Sequence, residues 1–147
     1  MAFSPERVTL CQYRKLEEGS HERAIAILAF PFFSAVIGAL GVFLTGSDTA
    51  SNTLFGPMQA FTAKQIVIGG HHLSPVLTAG TNSSGGVMGK MISPQNLSVG
   101  AAGVNRVGAE GDIFRRTIGY SLILTAAVGF VALIEVYLIP GIIPIPS

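Results

Sequence analysis

No charged side chain occurs from Ala24 to Ser47, a stretch of 24 residues. A helix needs about 20 apolar residues to cross the hydrocarbon core of a bilayer. Few soluble folds would accept such a stretch, and the rest of the chain agrees with a membrane setting. A second uncharged run, Thr117 to Ile134, leads into EVYLIPGIIPIP. Residues 1–23 alone hold eight of the chain's 17 charged side chains. Charged residues make up 12% of the sequence, about half the share in an ordinary soluble domain. The expectation is an all-α integral membrane protein.

The amino terminus, MAFSPERVTLCQYRKLEEGSHER, is polar and mixed in charge, unlike a secretory signal. It is expected to be a tail, 1–23, ahead of a transmembrane segment, 24–147. Cys11 is the single cysteine; it cannot form an internal disulfide and reads as an incidental thiol.

The first uncharged run contains Pro31, which breaks a helix or starts one. Pro31 to Thr45 is 15 residues, about 22 Å as a helix and short of the ~30 Å hydrocarbon core. Two alternatives follow: one kinked span over Ala24–Thr45, or a shorter arm opened by Pro31. The next segments are GSDTASNT and LFGPMQAFTAKQIVI. Two short arms joined by a polar tip describe a re-entrant hairpin over 31–68. Such backbone is tolerated at membrane depth only inside protein or beside a wet cavity. Further on, GTNSSGGVMGKMISPQN is rich enough in Gly, Ser and Asn to predict a helix broken near the midplane. Residues 46–53 and 82–94 are both expected to be non-helical and to approach one another. RVGAEGDIFRR is a charged loop, and Thr117–Ile139 a final transmembrane helix. Paired polar breaks between apolar arms point to the binding site of an inverted-repeat secondary transporter.

The blocks GVFLTGSDTASNTLFGPMQAFTAKQI, TNSSGGVMGKMISPQNLSVGAAGVN and EGDIFRRTIGYSLILTAAVGFVALIEVYLIP resemble the carboxy-terminal part of the bacterial L-lactate permease family. The resemblance covers roughly Ala24 to Pro140. It implies symport of lactate, or glycolate, with protons across the bacterial inner membrane by a multi-pass protein, protons being preferred to sodium. Because family members are much longer, it also implies a carboxy-terminal fragment that lacks a partner, the amino-terminal half. The VIGGHH connection, Val67 to His72, is longer than the family pattern. Related sodium-coupled dicarboxylate carriers hold Ser-Asn-Thr triplets at hairpin tips beside a broken helix. Ser51-Asn52-Thr53 is such a triplet, and Asn82-Ser83-Ser84 lies at the expected break.

The candidate substrate- and ion-binding residues are therefore Ser47, Asp48, Thr49, Ser51, Asn52, Thr53, Asn82, Ser83, Ser84 and Lys90. An acid at membrane depth is costly and usually functional, so Asp48 is read as a proton acceptor or an orienter of the tip hydroxyls. The alternative is a helix cap at the interface. Lys90 is either the positive partner of a monocarboxylate or a lysine snorkelling to the headgroups. His71 and His72 read as an exposed turn rather than a titrating switch, and Glu135 as interfacial. Arg106, Arg115 and Arg116 predict a cytoplasmic loop, which puts Pro140–Ser147 outside and opens the hairpin from the outer side. Residues 1–23 hold four cations that argue the opposite way, and they are discounted as non-family sequence.

GGVMGKM lacks phosphate-loop spacing, and Met91 replaces the magnesium-binding hydroxyl. No metal cluster, no nucleophile with a base and no basic stripe is visible. The expected partners are a small 2-hydroxy monocarboxylate, protons and the lipid bilayer, with no cofactor, no nucleic acid and no enzymatic activity. The rival expectations are a non-functional truncated remnant and a small helical membrane protein with an interaction role.

Overall fold

Helix α1, described over Ala29–Thr45, contains Pro31. The computed structural model describes residues 29–68 and 71–139. Residues 24–28, the tail with Cys11, Gly69–Gly70 and Pro140–Ser147 lie outside the described residues.

Only Gly46 and Ser47 separate α1 from α2 (Asp48–Gln65). Gly46 has φ +69°, a value that glycine adopts without strain, and its N–H donates to Val42 O at 2.7 Å. Ser47 is extended and caps α2, its Oγ accepting from Ala50 N at 3.3 Å. Asp48 follows in the first turn, where the helix dipole favours a negative charge. The expectation that 46–53 is non-helical is therefore corrected: from Asp48 onward the tip is helix. Most of its polar groups are bonded within or across helices. Thr53 Oγ1 donates back to Thr49 O at 2.8 Å, the local bond that lets a hydroxyl sit in a helix.

A two-residue antiparallel ladder follows, β1 (Val67–Ile68) with β2 (His71–His72), in the register Val67 to His72 and Ile68 to His71. His72 is exposed. The chain then enters α3 (Pro75–Lys90) and α4 (Pro94–Gly103), each with proline at its start.

The expected break at 82–94 is also corrected. Residues 82–90 are helical, and the interruption is confined to 91–93. The physical reason lies in neighbouring helices. A Cβ on Gly85 would run into Ala35 O, and one on Gly89 into Ala39 O. These glycines permit close contact with α1 and do not break α3. The break falls instead where Pro94 lacks an N–H and holds Ser93 extended, at φ −65° and ψ 136°. Lys90 O partly closes the gap by accepting from Ser93 Oγ at 3.1 Å and from Asn96 Nδ2 at 3.0 Å.

Helix α4 ends in a Schellman motif: Asn105, at φ 56°, donates to Ala102 O at 3.0 Å, and Arg106 N to Ala101 O at 2.8 Å. Helix α5 (Glu110–Leu138) is 29 residues long, about 43 Å. Its small-residue stripe, Ser121, Thr125, Gly129 and Ala132, is buried. Gly129 receives the Phe32 ring of α1, and Ser121 Oγ donates to Met88 O of α3 at 2.7 Å.

The contacts give the helix directions. Gly41 meets Ser51 and Ser34 meets Gln59, so α1 and α2 are antiparallel. Ala35 meets Gly85 and Ala39 meets Gly89, so α1 and α3 are parallel. The result is inside-out by the standard of soluble proteins. Ser34, Ser51, Gln59, Thr78 and Asn82 are fully buried, whereas Leu44, Phe61, Tyr120, Ile123 and Leu138 are mostly exposed. In water that surface would be a large apolar patch. In lipid it is the face that matches its solvent.

Candidate functional site

Asp48, Asn52 and Gln59 are four and seven residues apart on α2, a spacing that puts them on one helix face. They meet Thr78, Asn82 and Ser83 of α3 and Ser34 of α1 in a single buried polar row. Ser34 Oγ lies within bonding distance of both Gln59 Oε1 and Thr78 O, the latter at 2.8 Å. Gln59 Nε2 donates to Asn82 Oδ1 at 2.8 Å. Asn82 Nδ2 donates to Asn52 Oδ1 at 2.6 Å. Asn52 Nδ2 donates to Asp48 Oδ2 and to Ser83 Oγ, each at 3.2 Å. Ser83 Oγ in turn donates to Asp48 Oδ2 at 3.1 Å.

The row has a direction. From Ser34 through Gln59, Asn82 and Asn52, each side chain donates to the next one toward Asp48, and the last acceptor is the carboxylate. Ser34, Gln59 and Asn82 are fully buried, and Asn52, Ser83 and Asp48 are half-buried. The row thus opens at the end where α1 turns into α2. Gln95, at the start of α4, packs on Gly46 there, so the tip and the α3–α4 break adjoin each other. Asp48 Oδ1 faces Gly86. Among the described residues it is the buried side-chain oxygen left without a hydrogen-bond partner. One acid among amides and hydroxyls suits a proton better than a metal ion, which favours several anionic or imidazole ligands.

Of the residues expected from sequence, Asp48, Asn52, Asn82 and Ser83 come together in the row. Ser51 is buried beside it, its Oγ 3.5 Å from Gly38 O. Ser47 caps α2. Thr49, Thr53, Ser84 and Lys90 are exposed and stand outside the row. Gln59, Ser34 and Thr78 were not singled out from sequence. Their signal becomes visible once 48–65 is taken as helix, because Gln59 then shares a face with Asp48 and Asn52.

A polar row enclosed by helices whose outer faces are apolar defines a helical membrane protein with an internal polar site. The chain belongs to the L-lactate permease family, whose family model matches residues 23–139. It is 48% identical over 114 residues to the glycolate permease GlcA of Escherichia coli (strain K12), covering 78% of this chain and 20% of that protein. It is 49% identical over 116 residues to the L-lactate permease of Salmonella typhimurium, covering 79% and 20%. The L-lactate permease of Bacillus subtilis (strain 168) is 47% identical over 115 residues, again 78% and 20%. The chain thus spans about a fifth of the length of these relatives. No solved structure matches it.

Proposed function

We propose that this chain forms part of a carrier that moves lactate or glycolate together with protons, and that Asp48, Asn52, Asn82 and Ser83 form its substrate-facing row. The observation that carries this is the row itself, amide and hydroxyl donors converging on one carboxylate inside an apolar shell. Such donors can replace the hydration of a small 2-hydroxy carboxylate, and the acid can hold the coupling proton. The relatives' names, L-lactate permease and glycolate permease, supply the substrate class.

The α1–α2 pair is then a re-entrant hairpin. Leu44 and Leu54 flank its tip at 76% and 62% exposure, and greasy side chains on both sides suit a tip held within the bilayer. Helices α3 and α4 together form the discontinuous transmembrane helix, and α5 the final span.

The test is uptake of labelled lactate into liposomes carrying the purified chain, acidic outside. Accumulation that collapses with a protonophore and is competed by glycolate is the expected result. A chain that neither binds nor moves lactate would overturn transport by this polypeptide alone and leave a non-functional remnant or an interaction role; a permease carrying this segment that also fails would overturn the carrier reading.

A further inference from the structure

Asp48 is itself a carboxylate, and it already occupies the donors that a substrate carboxylate would need. Asn52 Nδ2 spends both of its protons on Asp48 Oδ2 and Ser83 Oγ, and Ser83 spends its single proton on the same Oδ2. Neither group has a spare proton for an incoming anion. Asn52 Oδ1 is occupied as well, by Asn82.

We propose that Asp48 acts as a built-in competitor of the substrate, so that protonating it releases Asn52 and Ser83 to the substrate anion. This rests on the carrier reading above and adds the way in which proton and anion are coupled. The proton comes from water and forms an O–H bond at Oδ1, the oxygen without a donor, and it returns to water when that bond breaks. Protonation turns Oδ2 into a neutral carbonyl. Hydrogen bonds to a charged acceptor are roughly twice as strong as neutral ones, so a substrate carboxylate then outcompetes Oδ2 for the same two donors. With Asp48 ionised, the two anions would instead stand side by side in a poorly hydrated site, which disfavours binding.

Few other charged groups face this one. Helices α1 and α4, as described, carry no titratable side chain. Helix α3 carries Lys90, exposed and one turn beyond Gly86, and among the described residues it makes no ion pair with Asp48. Lys64, His71 and His72 belong to the far end of α2 and the ladder that follows it.

The chain contains two aspartates, Asp48 and Asp112, and the second lies in the first turn of α5, outside the row. An Asp112→Asn background therefore isolates Asp48 for isotope labelling. Lactate affinity of the purified full chain in nanodiscs is measured at about pH 5.5 and about pH 7.5, where lactate stays anionic. In the parent background the dissociation constant should rise by up to about tenfold per pH unit, the linkage of one proton. Asp48→Asn, permanently neutral, should bind with a flat pH profile. An equal slope in both overturns the proposal.

A lactate-free infrared titration with labelled aspartate and asparagine provides an independent arm. A protonated-carboxyl band should rise on acidification together with a shift of the asparagine side-chain band. A carboxyl band without that shift, or no carboxyl band at all, overturns the coupling. If lactate fails to bind at either pH, transport by this polypeptide alone falls, and the infrared arm alone decides whether protonation frees the donors.

Discussion

Asn82 donates to Asn52 at 2.6 Å across the α2–α3 interface, joining two amides 30 residues apart in sequence. That bond links the buried half of the row, Gln59 and Ser34, to the half-buried end at Asp48. Both amide orientations are set by it. With Gln59 on Asn82 Oδ1, the Asn82 nitrogen must point at Asn52, and Asn52 must then turn its own nitrogen toward the carboxylate. Helix packing on one side of the row thereby fixes which groups face the acid on the other.

Asn52→Ala and Asn82→Ala should each raise the half-saturating lactate concentration. Losing one partner in a site closed to water costs about 1–3 kcal/mol, equal to a roughly 5- to 150-fold loss of apparent affinity. Transport titrations in a permease carrying this segment, with protein levels in the membrane checked, measure it.

Gln59→Leu acts on stability instead. It strips Asn82 Oδ1 of its donor in a fully buried place, while Ser34 Oγ keeps Thr78 O as acceptor. A loss of about 1–3 kcal/mol is expected, seen as a lower unfolding midpoint by circular dichroism in detergent.

Glycine substitutions should divide sharply. Gly85→Ala drives a methyl group into Ala35 O, so α1 and α3 must separate and the midpoint must fall. Gly80→Ala, also in α3, meets nothing within 4 Å and should stabilise slightly, by roughly 0.5–1 kcal/mol of helix propensity. Equal effects at the two positions would remove the close-packing explanation of this glycine-rich helix.

Orientation follows from Arg106, Arg115 and Arg116 around the turn into α5, which should lie in the cytoplasm. A carboxy-terminal reporter active only outside the cytoplasm is expected. Activity inside would reverse the topology.

The membrane class and the long apolar helix near the carboxy terminus were legible because they depend on composition and on local chain rules. Pro94 also marked a break correctly, since a residue without an N–H interrupts a helix wherever it lies. What local rules could not supply was the state of 48–53 and 82–90. Taken alone, Ser, Asn, Thr and Gly disfavour helix. In the fold, Asn82 donates to Asn52, Ser83 donates to Asp48, and the α3 glycines meet carbonyls of α1. Each of these contacts joins residues dozens of positions apart. The sequence alone determined the solvent this chain is made for and roughly where its polar groups gather. Only the tertiary structure decided that those groups ride on helices, in one directed row ending at Asp48, because their hydrogen-bond partners come from other helices.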